Sequence, residues 1–184
     1  MKRDLQAFRG NTGFTLLRNI RIGLWFIVLQ IFFTLPFTPS KFRSPLLRFF
    51  GASVGKRVVI RRGVRVHFPW NLEIGDDSWI GEEVWFINHE KIKIGSNVCI
   101  SQRSMICSSG HDYRSASLEY AHKPIEIKNG AWICLDAKIL PGVTVGECSV
   151  VSAGEVVRKS IPDYSILVGR DIHPIDPPKY DVDV

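Results

Sequence analysis

The sequence predicts an all-β fold, a parallel β-solenoid whose coils have three flat faces, preceded by a short helical segment. The main observation is a period of six residues, which fits neither an α-helix nor an alternating strand. In each period one aliphatic residue points inward, a small or β-branched residue follows four places later, and a very small residue often marks the corner. The aliphatic positions are Val54, Ile60, Val66, Ile74, Ile80, Ile94, Ile100, Ile106, Ile127, Ile133, Ile139, Val145, Val151 and Val157.

Residues 1–50 form a basic and apolar helical segment ahead of the repeat. Residues 1–70 carry 13 Lys and Arg against one acid, whereas residues 71–184 carry 11 Lys and Arg against 17 Asp and Glu. The apolar stretch Leu24–Leu35 would extend only about 18 Å as a helix, and a bilayer core needs about 30 Å. We therefore expect that it does not span a membrane.

Two alternatives stay open for this segment. It can cap the open end of the solenoid or pack on a neighbouring subunit. It can also lie in the plane of a membrane, with its apolar face in the lipid and the flanking cations on anionic headgroups. Because a cap does not need so many cations, the composition favours the membrane. No nucleic-acid-binding motif accompanies the basic residues, so nucleic acid is not an expected partner.

The solenoid is expected over residues 51–169, and the regular repeat is interrupted once by a long polar loop. Its register slips by two residues near Leu72–Glu73 and again near Ile92–Lys93, which indicates corner bulges. Residues 107–126 have no six-residue pattern, and long polar loops between regular repeats are usually functional. Residues 170–184, rich in Pro and Asp, are expected to form an extended tail.

The four cysteines all lie inside the repeat and form no CxxC pair. This pattern predicts reduced, buried thiols in a cytoplasmic protein rather than disulfides or a zinc site. They are Cys99, Cys107, Cys134 and Cys148.

His111 is the main catalytic candidate, because it stands near the start of the ejected loop, directly after Gly110. A neutral imidazole can accept a proton near neutral pH. That property suits a general base acting on an alcohol. The alternative is an ordinary surface histidine.

A metal site is the rival interpretation. His67, His89 and His111 are spaced by 22 residues, which suggests a stacked triad, and His122 could join it. Their positions relative to the repeat differ, so we expect the side chains to point in different directions and we expect no metal.

Three further residues are candidates for binding the acceptor. Asn88 and His89 interrupt the coil below His111, and Asp112 follows His111 directly. Corner residues of the solenoid are the alternative for Asn88 and His89. Asp112 could orient His111 or the acceptor.

A second group of residues suits a long, thin ligand. Small residues on regular coils between Asn129 and Gly154 leave the backbone accessible, and Arg158 and Lys159 stand at the far end, where a phosphate would need cations. The alternative is a plain series of corners that ends in a basic pair.

These stretches resemble the hexapeptide-repeat acyltransferases, within them the galactoside, maltose and colanic-acid-type O-acetyltransferases. The matching segments are Ser109-Gly-His-Asp112, Lys123-Pro124, Ile127–Ile133, Pro141–Gly146 and Lys159–Pro162, with Phe50–Gly55 and Phe68–Asn71 resembling the colanic-acid-type branch. The resemblance covers most of the chain.

The resemblance implies a left-handed β-helix, a homotrimer, and acetyl-CoA bound between adjacent subunits. It also implies that His111 is the base, that Trp132, Ser152 and Ala153 lie along the pantetheine arm, and that Lys159 lies near the phosphates. Cys134 and Arg170 stand at further coenzyme-contacting positions, where the chain departs from the usual residues of the family.

The expected function is therefore acetyl-CoA-dependent O-acetylation of a saccharide in exopolysaccharide or cell-surface glycan synthesis. The basic N-terminus suggests a lipid-linked acceptor at the cytoplasmic face of a membrane. Two alternatives stay open: a metal-dependent enzyme similar to the γ-carbonic anhydrases, and a non-catalytic trimeric scaffold that binds glycans.

Overall fold

The three-faced solenoid and its helical N-terminal segment are both present in the structure, a computed structural model that describes residues 3–10, 15–35 and 38–177. The first coil contains β1 (Ser53–Val54), β2 (Val59–Ile60) and β3 (Arg65–Val66), and the second contains β4 (Leu72–Ile74), β5 (Trp79–Ile80) and β6 (Trp85–Ile87). The third contains β7 (Ile92–Ile94), β8 (Cys99–Ile100) and β9 (Met105–Cys107), and the fourth contains β10 (Ile125–Ile127), β11 (Trp132–Ile133) and β12 (Lys138–Ile139). The fifth contains β13 (Thr144–Val145), β14 (Val150–Val151) and β15 (Val156–Val157).

Each coil places one strand on each face of a triangular prism. Face 1 contains β1, β4, β7, β10 and β13, face 2 contains β2, β5, β8, β11 and β14, and face 3 contains β3, β6, β9, β12 and β15, all in parallel pairing. Two further strands, β16 (Ser165–Val168) and β17 (Asp171–Pro174), extend face 2. Because β17 pairs antiparallel with β16, the expectation of an extended tail from residue 170 is wrong for residues 171–174. Residues 178–184 lie outside the described part.

The predicted inward positions form the core. Every aliphatic position of the repeat is buried, and parallel pairing stacks equivalent residues directly above one another, as for Ile60, Ile80 and Ile100. The small positions, apart from the half-buried Val58, are buried as well. Ser78 and Ser104 are fully buried, and each hydroxyl donates 2.9 Å to a backbone carbonyl of the next coil. The six-residue period therefore describes both the packing and the polar links between coils.

The corners explain the very small residues. A Cβ atom on Gly75 would lie 2.6 Å from the carbonyl carbon of Gly95 in the next coil. Coils are only about 4.8 Å apart, so a side chain there would push two coils apart.

The N-terminal helix caps the first coil. Helix α1 (Leu16–Val28) continues as a π-helix, Leu29–Thr34, and a second helix, α2, spans Arg43–Phe49; short 3₁₀ turns occupy Leu5–Ala7, Ser40–Phe42 and Pro69–Asn71. Trp25, Leu29 and Phe33 form one buried face, and the Trp25 indole donates 2.7 Å to the Val66 carbonyl. This face of the helix therefore covers the open end of the solenoid, as the first of the two alternatives expected.

Several cations of this segment bind the backbone. The buried Arg43 guanidinium donates to the carbonyls of Phe32, Thr38 and Ile60. Arg21 donates to the Phe50 carbonyl, and Arg48 donates to the carbonyls of Val54 and Gly55. The premise that a cap does not need so many cations is therefore wrong, because three of them connect the helices to each other and to the solenoid.

The helix is also longer than expected. By length and composition, Leu16–Thr34 could cross a membrane, with 19 residues and a mean hydropathy of 1.6. The expected limit of twelve residues is wrong, because Leu16, Leu17 and Ile20 belong to the same helical stretch, which ends at Thr34. Length alone does not decide the orientation, since the face of Trp25, Leu29 and Phe33 is already covered by protein.

We expect that Arg43→Met lowers the free energy of unfolding by about 2–4 kcal/mol, because three carbonyls lose a charged donor and at least one of them is buried. Urea unfolding followed by circular dichroism measures this. The control is Lys41→Met, an exposed neighbour, which we expect to change stability by less than about 0.5 kcal/mol. Equal stability of both variants would show that the Arg43 bonds contribute nothing.

Candidate active site

The ejected loop leaves the solenoid at the corner between faces 3 and 1, corner 3–1. It runs between β9 and β10 and folds as a hairpin, in which the Ala121 N–H donates 2.8 Å to the Gly110 carbonyl and the Asp112 N–H donates 2.8 Å to the Glu119 carbonyl. A Cβ atom on Gly110 would lie 2.9 Å from the Ala121 carbonyl oxygen, so the close approach of the two arms requires glycine. The hairpin holds His111 opposite Tyr120.

His111 is exposed and its ring is oriented by the backbone. Its Nδ1 lies 2.6 Å from the carbonyl oxygen of Leu118. A carbonyl can only accept, so Nδ1 carries the proton and Nε2 keeps a free lone pair. This is the tautomer that a general base needs.

The backbone of Leu118 has an unfavourable conformation at the position from which its carbonyl reaches His111. Its φ is +54°, a left-handed conformation that costs a leucine about 1–2 kcal/mol. Other left-handed residues of the solenoid stand at regular corners, whereas Leu118 stands in the loop. Such local strain is typical of functional positions. No sequence signal identifies Leu118, because the group that contacts His111 is its backbone carbonyl and not its side chain.

Asp112 does not orient His111 in the structure. Its carboxylate accepts from the backbone N–H of Arg114 at 3.0 Å and from the Arg114 guanidinium at 3.1 Å. These two bonds lower the pKa of Asp112 and keep it ionised. The expected orienting role therefore belongs to the Leu118 carbonyl, and contact with an acceptor remains a prediction for Asp112.

Asn88 is a structural residue. It is fully buried, its carbonyl oxygen accepts 3.0 Å from the Phe68 N–H, and its amide donates 2.6 Å to the Phe68 carbonyl. Its polar atoms are thus used between the first two coils. The expected contact of Asn88 with an acceptor is wrong for this reason, and corner packing, the alternative, describes it.

Three histidines stack along corner 3–1, below His111. The ring centroids of His67 and His89 are 5.6 Å apart, and those of His89 and His122 are 5.0 Å apart. The expectation that His67 and His89 point in different directions is therefore wrong. The extra residues in the first two coils fall at this corner and turn both rings toward it. The rings are tilted against one another, and within residues 3–10, 15–35 and 38–177 no group of three His, Cys, Asp or Glu side chains is arranged to hold a metal ion.

These histidines are uncharged near neutral pH. Burial, followed by the neighbouring His122, lowers the pKa of His89 to about 4. Burial lowers the pKa of His67 and of His122 as well. The corner beneath His111 is thus lined by neutral aromatic rings.

Four of the six expected coenzyme residues lie along a different corner, between faces 2 and 3, called corner 2–3. Trp132 is 48% exposed and its indole donates 3.0 Å to the Ser101 hydroxyl. Cys134 and Ser152 follow the paired residues Ile133 and Val151, so they are stacked in adjacent coils, and Ala153 is exposed beside them. Burial, followed by nearby Cys99, raises the pKa of the Cys134 thiol, which disfavours a thiolate.

Basic residues converge on face 3 at the last coil, where Arg158 and Lys159 follow β15 toward corner 3–1 and Arg170 follows β16. Arg158, Lys159 and Arg170 line one groove of about 300 Å³, with Gly169 and Leu167. Arg170 stands in the turn between β16 and β17, a pair of strands that the six-residue pattern does not predict. The structure therefore brings together the two cations expected to bind phosphate, Lys159 and Arg170.

His111 and four of the expected coenzyme residues stand at different corners of one subunit. The loop with His111 leaves corner 3–1, and Trp132, Cys134, Ser152 and Ala153 line corner 2–3, with the whole of face 3 between them. One subunit therefore does not assemble all the expected residues around one point.

Sequence reasoning missed several neighbours of His111. The Tyr120 ring lies 5.1 Å from the His111 ring, and Phe8 packs 5.0 Å from Tyr120. The Asp4 N–H donates 3.0 Å to the Ala116 carbonyl, so residues 3–10 lie on the loop. Nothing in the local sequence indicates this contact between the N-terminus and residue 116.

Comparisons with known proteins agree with this architecture, although no family model matches the chain. The "Putative colanic acid biosynthesis acetyltransferase WcaF" of Escherichia coli (strain K12) is 38% identical over 168 residues, which cover 91% of this chain and 92% of that protein. The crystal structure of a maltose O-acetyltransferase from Clostridium difficile 630 has a TM-score of 0.79 at 25% identity and covers 89% of this chain and 90% of its own. A hexapeptide-repeat acetyltransferase of Vibrio cholerae O1 biovar eltor, solved with acetyl coenzyme A, has a TM-score of 0.76 at 26% identity and 88% coverage of both chains. These neighbours confirm the predicted left-handed parallel β-helix.

Proposed function

The chain belongs to the hexapeptide-repeat acetyltransferases, in the colanic-acid-type branch, and from this premise we propose that it transfers acetyl from acetyl-CoA to a saccharide hydroxyl. The pathway we propose is the assembly of an exopolysaccharide or another cell-surface glycan. The observation that carries the proposal is the His111 imidazole, whose Nδ1 is held by the Leu118 carbonyl while Nε2 is free to accept a proton. The names of the two similar proteins, one for colanic acid biosynthesis and one for maltose O-acetylation, support a sugar as the acceptor.

The proposed reaction is a direct transfer. Nε2 of His111 takes the proton of the acceptor hydroxyl as that oxygen attacks the thioester carbonyl carbon. The C–S bond then breaks, and the coenzyme A thiolate leaves and recovers the proton from the imidazolium. Backbone N–H groups would stabilise the oxyanion. No covalent enzyme intermediate is needed, and the raised pKa values of Cys107 and Cys134 disfavour one.

The residues of corner 2–3 fit acetyl-CoA. The exposed Trp132 and the small Ser152 and Ala153 leave room for the pantetheine arm beside Cys134, and the groove of Arg158, Lys159 and Arg170 suits the phosphates. We assign the donor to this corner on that basis.

A homotrimer is the proposed assembly, because the donor corner and the base of one subunit are separated. Another copy must then supply one of the two. The outward positions of face 2 favour self-association, since they form an apolar column, whereas those of face 1 are polar or charged. The face 2 column is Val59, Trp79, Cys99, Trp132, Val150 and Ile166, and the face 1 column is Ser53, Glu73, Lys93, Glu126 and Thr144.

The cytoplasmic face of a membrane is the proposed location. α1 and the π-helix that continues it have an outer apolar stripe besides their buried face: Ile20, Leu24, Ile27 and Ile31 are 50%, 54%, 58% and 45% exposed. An apolar stripe on a strongly basic segment suits the interface of an anionic membrane. Because the opposite face is packed on the solenoid, we propose that the helix lies in the membrane plane. The four free cysteines support a reducing compartment.

His111→Ala is expected to lower kcat by at least about 100-fold, because the general base is lost. Binding of coenzyme A should be unchanged, since the residues proposed to hold the pantetheine arm and the phosphates are untouched. Transfer to a sugar panel is measured with radiolabelled acetyl-CoA, and coenzyme binding by calorimetry. A variant that transfers acetyl as well as the native protein would exclude His111 as the base.

Trp79→Glu is expected to dissociate the trimer, because a charge replaces a 63% exposed ring in the apolar column. Light scattering after gel filtration measures the mass, and acetyl transfer should fall with it. Ser53→Glu adds the same charge in the outward column of face 1 and should leave the trimer intact. If the Trp79→Glu variant remains a trimer, the subunit interface is not formed by this column of face 2.

The double variant Ile20→Glu/Ile31→Glu is expected to lose binding to phosphatidylglycerol vesicles by at least about tenfold, because two charges enter the apolar stripe. Flotation of the protein with vesicles measures this. The control, Asn19→Glu/Gln30→Glu, adds the same charges to exposed polar positions of the same helix. If both double variants float as the native protein does, the stripe does not bind lipid.

A further inference from the structure

A polar groove lies between α1 and corner 3–1 at the level of the first two coils. Its volume is about 640 Å³, and its lining residues are Leu17, Arg18, Arg21, Trp70, Asn71, His89 and Glu90. Arg18 and Arg21 bring two cationic side chains to the lining, and Trp70 and His89 bring two aromatic rings. The acetyl transfer proposed above assigns no role to the arginines or to Trp70.

The groove is held in shape by contacts within the protein. The Arg21 guanidinium lies 4.3 Å from the centroid of the Trp70 ring while it donates to the Phe50 carbonyl. The Asn71 amide donates 3.1 Å and 2.9 Å to the carbonyls of Asn88 and His89. A guanidinium group held in place, as that of Arg21 is, suits phosphate oxygens, which accept its planar fork of N–H donors.

A series of rings in mutual contact, the ring track, connects the groove to His111, and one of them, Phe68, is buried. Successive centroids along it are 4.6 to 5.3 Å apart, in the order Trp70, Phe68, His89, His122, Tyr120 and His111. Flat rings of this kind can pack against the apolar faces of sugars. The charge is therefore concentrated at the lower end of the track, and the base stands at the upper end.

We propose that this groove binds the diphosphate of a glycosyl diphosphate, which is the acceptor, with Arg18 and Arg21 on the phosphate oxygens and the glycan directed along the ring track toward Nε2 of His111. This inference rests on the proposed transfer to a saccharide. Glu90, whose carboxylate accepts 2.9 Å from the Lys91 N–H, stands at the groove as an acceptor for a sugar hydroxyl. Leu17, 79% exposed at the same groove, offers an apolar contact to a lipid carrier of the diphosphate.

Calorimetry on the full chain tests the groove directly. The probes are inorganic pyrophosphate, UDP-glucose and glucosyl farnesyl diphosphate, with free glucose as the uncharged reference. We expect Arg18→Gln and Arg21→Gln each to weaken binding of all three diphosphates about tenfold, the loss of one charge-assisted contact. Tighter binding of the farnesyl compound would assign a lipid carrier, and tighter binding of UDP-glucose would assign a nucleotide carrier.

The matched control is Lys56→Gln, which removes one charge from the same basic half of the chain outside the groove and should bind every probe as the native protein does. Thermal unfolding verifies that each variant is folded. If Arg21→Gln is not folded, Arg18→Gln alone tests the proposal. Pyrophosphate binding that is the same in Arg18→Gln and the native protein, or equally weakened in Lys56→Gln, would overturn the proposal.

Acetyl transfer measured in parallel separates this proposal from the one it rests on. If no acceptor is acetylated but the arginine variants lose pyrophosphate binding, the diphosphate site stands and the transfer is wrong. If kcat/KM for glucosyl farnesyl diphosphate is the same in the native protein and in Arg18→Gln, the transfer stands and the diphosphate site is wrong.

Discussion

Parallel stacking of short strands, with an aliphatic residue inside each strand, is the constraint on which the rest of the structure depends. Pairing such as Ile60 with Ile80 and Ile80 with Ile100 fixes every coil against the next. Each corner therefore becomes a column of residues in constant register. Cys134 and Ser152, which we propose as donor contacts, share one column and the rings below His111 share another, although they are far apart in the sequence. The corner at which a residue stands therefore determines which other residues lie next to it.

Much of this could be predicted from the sequence, because the six-residue period reports directly on what is buried. The period identified the coils, and its interruption identified the loop with His111. The contacts that orient His111 could not be predicted, since the Leu118 carbonyl belongs to the backbone and its position depends on a left-handed residue within an irregular loop. The role predicted for Asn88 was wrong for a similar reason. A polar residue at a break in the pattern can face a ligand or form hydrogen bonds with the neighbouring coil, and the sequence does not distinguish the two. The pairing of β17 with β16 was equally invisible, because the segment lacks the repeat.

The N-terminal segment shows how composition can mislead about cause. Its cations suggested a partner outside the protein, yet Arg43 is buried and donates to three carbonyls from three segments. Free backbone carbonyls are common where a helix ends on the first coil of a solenoid, and a guanidinium with five donors can satisfy several of them at once. The apolar stripe on the outside of α1 is the better argument for a membrane, because nothing within the described residues covers it.

The bond between His111 and Leu118 has a consequence for how the enzyme can change over time. A side chain that orients a catalytic histidine can be lost through one codon, but a main-chain carbonyl remains whatever residue occupies position 118. Substitution there can only shift the path of the peptide, and glycine or asparagine would adopt the same path with less strain. Inheritance of the correct tautomer therefore depends on the trajectory of the loop rather than on the side chain at position 118.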